Sequence, residues 1–331
     1  MKICSKCVLP DTFPGITFNR QGICNYCQRA EKNRTDQEQK RQLEVRFNKL
    51  IDQLKRPSGH DCILAFSGGK DSSYLLDLLV HRFSLKPLAT TFDNWFLSET
   101  AFKNMELITK SLGVSHLHIR PPFEMMRKLF REGSYAQLYS KKSLERASSI
   151  CTTCISFVRF LCLRLAIEKD IPMVIFGFNP AQIPFSAGIV KMSPYFLKTM
   201  QKIVYPPIQK IVGDEAQPFF LEERHLSSAA RLPYLVNPFA FLDYQEEKIF
   251  SHIRQMGWYH ATDVDSNSTN CRLNQYSNLL FFQQYKFHPY SSEIASMVRK
   301  GLLKREEGLR RLIPPEENLM TATIREQLHE G

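Results

Sequence analysis

Residues 62–79 read CILAFSGGKDSSYLLDLL: a short apolar run, a serine–glycine–glycine turn, then a helical segment with an apolar face. A Walker loop places four residues between its first glycine and its Gly-Lys pair. SGGKDSS (67–73) has no such spacer, which disfavours Walker chemistry on a γ-phosphate but leaves an anion cradle. Ser67, Gly68 and Gly69 let backbone N–H groups converge at the mouth of the next helix, whose dipole favours negative charge. Lys70 adds a cation, Ser72 and Ser73 add hydroxyl donors, and Asp71 suits a Mg2+ ion held beside phosphates. The plainer alternative is a glycine turn that caps a helix.

Outward from this turn, short apolar runs alternate with helical ones. Strands are expected at 62–66, 85–92, 115–119, 172–177 and 234–239, and helices at 71–82, 98–112, 122–132, 151–169 and 244–258. That alternation predicts an α/β fold with a doubly wound parallel sheet covered on both faces. Ligands of such sheets lie beyond the carboxyl ends of the strands. Asp93 and Asn94 of TTFDNWF fall there and are expected to contact nucleotide or Mg2+; an Asp-Asn turn ending the strand is the competing reading. Segment 183–232, with scattered prolines and weak periodicity, reads as an irregular excursion. The division expected is a metal-binding module at 1–30, a linking helix at 31–58, a nucleotide-binding domain at 59–275 and a basic helical tail at 276–331. In the linker Leu43, Phe47, Leu50, Ile51 and Leu54 recur at helical spacing.

Seven of the nine cysteines are spaced for metal. Cys4-x2-Cys7, sixteen residues, then Cys24-x2-Cys27 is the spacing of a tetrahedral four-thiolate Zn2+ site, closed and therefore structural. So short a segment needs the metal to fold. Cys151 and Cys154 stand on adjacent turns at a helix start, with Cys271 far downstream in NSTNCRLN. Three thiolates on a [4Fe-4S] cluster would leave one iron open to chemistry. A persulfide-passing cysteine pair and a second zinc site completed by a histidine use the same residues. Cys62 and Cys162 sit in apolar runs and read as core thiols. His116, His118, His260 and His288 read as packing or surface groups, and Asn179, Asn270 and Asn274 as candidate substrate contacts.

The chain of 331 residues carries a formal charge of +11, counted with neutral cysteines. Thiolates on zinc and on a cluster would reduce this to roughly +8. Such a balance suits an anionic partner: ATP, a sugar nucleotide or RNA. No apolar run of membrane-spanning length and no signal core in MKICSKCVLP are read, so a reducing cytoplasmic setting is expected.

SGGKDS resembles the SGGxDS signature of the PP-loop ATP pyrophosphatases, on the adenine nucleotide α-hydrolase fold, over roughly residues 60–275. The resemblance implies a loop that grips the β,γ-pyrophosphate of ATP while a substrate oxygen attacks the α-phosphate. A sulfur species or ammonia then displaces AMP. The cysteine order is similar to the tRNA 2-thiolation branch, whose CxxC and later cysteine hold a [4Fe-4S] cluster; this implies cluster ligation and catalysis by Cys151, Cys154 and Cys271, with Asp71 assisting. The N-terminus and SEIASMVRKGLLKREEGLRRL (292–312) are also similar to the N-acetyl sugar amidotransferases, which take ammonia from a glutaminase partner. The thiolation enzymes carry Gly-His-Asn with paired aspartates where this chain has GFNPAQ (177–182). That difference weighs against tRNA and toward a small heterocycle, nucleobase or modified nucleoside. The resemblance further implies a cysteine desulfurase or free sulfide as sulfur donor, and a homodimer. An inactive RNA-binding module is the non-enzymatic alternative.

Overall fold

Strand β1 (Cys62–Ala65) is apolar on both faces because it lies at the middle of a covered sheet. The protein is described here from a computed structural model covering residues 2–32, 36–227 and 229–329. Strands β2 (Pro87–Phe92), β3 (Ser115–Ile119), β4 (Met173–Ile175), β5 (Ile189–Lys191) and β6 (Tyr234–Val236) complete one sheet in the order β3-β2-β1-β4-β6-β5. All neighbours are parallel except β5 on β6. Every residue of β2 is buried, as expected of a strand covered on both sides.

The chain runs from β1 outward to β2 and β3, then returns to place β4 on the other side of β1. The crevice beyond the carboxyl ends of β1 and β4 is therefore the topological switch point, where ligands of open α/β sheets bind. Helix Ser149–Glu168 covers one face with Phe157, Phe160 and Leu163 against Ile63 and Val174. Helices Lys70–Asp77 and Glu246–Gln255 cover the other with Leu75, Leu76 and Ile249, and Phe47, Leu50 and Ile51 of the linking helix Asp36–Leu54 join them. The doubly wound α/β architecture expected from the sequence is present.

Two expectations need correction. Segment 183–232 is not irregular: it holds β5 and the 19-residue helix Pro194–Val212. Ser193 caps that helix by accepting from Phe196 N at 3.2 Å, and Leu197, Ile208 and Val212 are buried. Pro206 and Pro207 inside it obscure the period, since a mid-helix proline removes a hydrogen bond and is normally excluded. The second concerns apolar length. Helix Ser149–Glu168 is long and apolar enough to cross a membrane by composition, with mean hydropathy 1.8. Its apolarity has a local cause: it packs on β1, β2 and β4 and buries its own Phe157, Phe160, Leu161 and Leu163.

Candidate functional site

The turn after β1 is closely packed at both of its glycines. Gly68 has φ +67, and a Cβ on it would meet the Ala101 carbonyl at 2.5 Å. Its own carbonyl accepts from the Trp258 indole N–H at 2.9 Å. Gly68→Ala is therefore expected to cost about 1–3 kcal/mol in backbone strain alone, read as a lower denaturant midpoint. At Gly69 a Cβ would lie 2.7 Å from the Thr269 hydroxyl, which accepts from Lys70 N at 3.2 Å. Ser67 and Ser72 tie the loop together, their hydroxyls 3.2 Å apart.

A cavity of about 390 Å³ opens at this junction, walled by Ser67, Gly69, Lys70, Asp71 and Ser72 on one side. Ser73 is fully buried outside it, its hydroxyl without a hydrogen-bond partner. The Lys70 ammonium lies 2.8 Å from Asp71 Oδ2, 2.9 Å from the Tyr244 hydroxyl and 3.2 Å from Glu246 Oε1. Burial works against the ammonium, but Asp71, Tyr244 and Glu246 outweigh it and hold Lys70 well above its ordinary value. Glu246 in turn takes Arg311 at 2.6 Å, and Arg311 also lines the cavity. Both Asp71 oxygens are thus already held, one by Lys70 and one by Tyr244.

Cys151, Cys154 and Cys271 line the same cavity. Helix Ser149–Glu168 presents the first two from its opening turns, where Ser148 caps it by accepting from Cys151 N at 3.1 Å. The third precedes helix Leu273–Tyr285 and is fixed by a bridge to Leu97. Amide donors address all three sulfurs: Asn94 Nδ2 reaches Cys154 and Cys271 at 3.5 Å each, and Asn274 Nδ2 reaches Cys151 at 3.7 Å. Burial pushes the Cys271 thiol up to about 11 and Cys154 further still, with each neighbouring cysteine adding to the latter. Such thiols need a metal or an equivalent electrophile to become thiolates. No histidine lines the cavity among the described residues, so a second zinc site completed by histidine loses its fourth ligand.

Asp93 is placed differently from the sequence expectation. It is fully buried and does not line the cavity. Its carboxylate accepts from Trp95 N at 2.8 Å, from Arg120 at 2.5 Å and stands 3.2 Å from His118. Asp93 therefore fixes the turn after β2, as the competing reading had it, while Asn94 beside it turns to the sulfurs. The sequence reading missed Tyr244, Glu246, Tyr290, Glu293 and Arg311. Tyr244 and Glu246 open a helix predicted at 244–258, and only the acidic Glu246 had a local signal; Tyr290, Glu293 and Arg311 come from the tail. Asn179, Asn270 and Asn274 do reach the cavity. His288 is buried and pushed down to about 4 by that burial, and His260 bonds the Ala261 carbonyl at 2.7 Å.

The N-terminal cysteines meet as spaced. Cys4, Cys7, Cys24 and Cys27 are buried, with their sulfurs all within 4.8 Å of one another. Backbone N–H groups of Lys6, Cys7 and Cys24 point at Cys4 Sγ at 3.3 to 3.4 Å. Burial raises this thiol, but those donors outweigh it and bring Cys4 down to about 7; Cys7, without that set, is pushed up to about 11 by burial. A four-sulfur set at single-ion spacing fits one tetrahedral Zn2+.

Strand, SGGKDSS turn and helix mouth stand in the order the sequence predicts. No family model matches the chain. An uncharacterized protein of Methanocaldococcus jannaschii is 24% identical over 314 residues, covering 94% of this chain and 93% of that protein. The U34-tRNA thiolase NcsA from Methanococcus maripaludis, solved with its [4Fe-4S] cluster, aligns with 100% of this chain and 90% of its own at 15% identity and a TM-score of 0.39. NMN synthetase from Francisella tularensis aligns with 90% of this chain and 97% of its own at 12% identity and a TM-score of 0.39. For the NH3-dependent NAD synthetase of Campylobacter jejuni the values are 89%, 93%, 11% and 0.36.

Proposed function

We propose that this protein is an ATP-dependent, AMP- and pyrophosphate-forming transferase that adenylates a carbonyl or amide oxygen and replaces it with sulfur. One observation carries this reading: the SGGKDS turn and Cys151, Cys154 and Cys271 line a single cavity. The loop holds the β,γ-pyrophosphate with backbone N–H groups at a helix mouth, and Lys70, Arg146 and Arg311 are the cations that line the cavity among the described residues. The acceptor oxygen attacks the α-phosphorus, an O–P bond forms, and the bond to pyrophosphate breaks. A sulfur nucleophile then adds to the activated carbon, and AMP leaves with the original oxygen. A [4Fe-4S] cluster held by the three cysteines would supply an open iron position for that sulfur. The acceptor is a small heterocycle, nucleobase or modified nucleoside.

The test is anaerobic purification followed by assay with ATP, sulfide and candidate acceptors. Expected are iron and sulfide in the protein, absorbance near 400 nm, release of AMP with pyrophosphate, and a product in which one oxygen has become sulfur. Cys151→Ala is expected to lower sulfur incorporation by at least about a hundredfold, as removal of a reacting group does. Release of ADP and orthophosphate would overturn the reading. Ammonia-dependent turnover unaffected by Cys151→Ala would replace sulfur transfer with amide-to-amidine conversion.

A further inference from the structure

The cavity wall beside the phosphate loop carries a built polar cluster that none of the steps above uses. Asn179 and Gln182 come from the segment after β4, and Glu293 from the first turn of helix Ser291–Arg299. All three line the cavity. Asn179 Nδ2 donates to Glu293 Oε1 at 2.5 Å, and Gln182 Nε2 donates to Oε2 at 2.9 Å. The two amides are oriented independently of the carboxylate. Asn179 Oδ1 accepts from Ala181 N at 2.9 Å, and Gln182 Oε1 accepts from Asn179 N at 3.0 Å. Both NH2 groups are thereby committed to Glu293.

An ionised carboxylate is an acceptor only, with two oxygens and about four lone-pair sites. Two sites here are taken and Glu293 lines the cavity, so the matching group on a ligand is a hydrogen-bond donor. Position narrows the choice. A Cβ on Gly177, at the exit of β4, would lie 3.4 Å from Ser72 N, so the cluster adjoins the turn that holds the phosphates. Lys70 and Asp71 are close enough to act electrostatically on Glu293, while burial raises its carboxyl above the ordinary range. A molecule whose carbonyl oxygen faces the α-phosphorus and whose donor meets Glu293 carries both within one functional group: a secondary amide.

We propose that Glu293 reads the N–H of a secondary amide, cyclic lactam or acetamido group, and takes its proton as the neighbouring carbonyl oxygen is adenylated. The inference rests on the adenylation reading given above. Electrons balance within the acceptor: the N–H pair forms the C=N bond, the C=O π pair forms the O–P bond, and the P–O pair leaves with pyrophosphate. The proton rests on a Glu293 oxygen and returns to nitrogen when the carbon–oxygen bond later breaks and AMP departs. Asn179 and Gln182 are positioning residues for this carboxylate.

The probes are uracil against dimethyluracil and N-acetylglucosamine against its N-methylated acetamide, the second member of each pair lacking the N–H. Each is titrated calorimetrically into the anaerobically purified protein with a non-cleavable α,β-methylene ATP. Wild type should bind the N–H member of one pair at least about tenfold more tightly, the loss expected when a hydrogen bond to a charged group goes. Preference within the first pair identifies a lactam, within the second an acetamido group. Glu293→Gln should abolish the preference and Glu293→Asp should restore part of it; a packing role alone would not track N-methylation of the probe. Equal binding within both pairs, or no binding of any probe, overturns the proposal, as does an undiminished preference in Glu293→Gln. AMP and pyrophosphate release is followed in parallel with ATP. If it persists while discrimination fails, only the role of Glu293 falls; if ADP and orthophosphate appear, the adenylation reading falls.

Discussion

Removing the Zn2+ that we propose for the four-cysteine module is expected to unfold that module and to loosen the tail and the turn at Lys70 with it. Structural zinc sites of this kind contribute about 10–16 kcal/mol of binding free energy at neutral pH, which for a small module is its folding free energy. The module's own apolar burial is slight: Val8, Leu9, Pro10 and Phe13 are its buried non-cysteine residues, and Phe13 packs on Phe287 of the tail with ring centroids 5.2 Å apart. Without metal, Cys7 and Cys27 are driven toward neutral thiols by burial, and the backbone donors aimed at Cys4 lose most of their purpose. Arg305 donates to the Cys7 and Cys4 carbonyls at 3.0 Å each, so it depends on the knuckle's shape. Six residues further on, Arg311 pairs with Glu246, which pairs with Lys70 of the loop. Hydrogen exchange with and without a zinc chelator tests this. Loss of protection should begin at the knuckle and extend to helix Arg305–Arg310 and the region of Lys70. Full protection in metal-free protein would show that the module folds on packing alone.

The parts of the site legible in the sequence are those set by local chemistry. SGGKDSS predicted its strand–turn–helix context because a glycine at φ +67 against a neighbouring carbonyl has few alternatives. The Cys4/Cys7 and Cys24/Cys27 pairs were legible because bringing four sulfurs to single-ion spacing demands that separation. Cys271, the one distant member of the second set, did reach Cys151 and Cys154 in a shared cavity. What failed had non-local causes. Asp93 sits at the carboxyl end of its strand as expected, yet its charge is spent on Arg120 and His118, partners from β3 and the residue after it that no local pattern reveals. The helix holding Pro206 and Pro207 was hidden because two prolines spoil a periodic signal that tertiary burial nevertheless sustains. Glu293 and Arg311 were invisible because the tail reads as a basic amphipathic run. Their roles come from where it docks.

Lys70→Met is expected to remove both stability and turnover, and the two losses can be separated. The Lys70 ammonium is nearly buried between Asp71 and Glu246, at 12% side-chain exposure. Deleting one partner of a buried pair leaves uncompensated charge and costs about 3–5 kcal/mol. Loss of a cation beside a departing pyrophosphate should lower AMP formation by about 10²–10³. Adding Asp71→Asn to Lys70→Met should recover much of the stability, since Asp71 is the carboxylate left without a cation while Glu246 keeps Arg311, but none of the turnover. The pH dependence gives the sign. Burial raises the Glu246 carboxyl, but Lys70 and Arg311 outweigh it and hold it below the ordinary range. A depressed carboxyl contributes stability that is complete above its unfolded value and lost as pH falls through the folded one. The Lys70 ammonium, held high, contributes fully below its ordinary value and is lost only at more alkaline pH. Both contributions are therefore present near neutrality. The deficit of Lys70→Met in urea unfolding should be largest there and shrink toward about pH 4, where the carboxylates begin to protonate. A deficit that grew on acidification would mean that the ammonium was not paying its way through these carboxylates, and the phosphate loop would need another account of its rigidity.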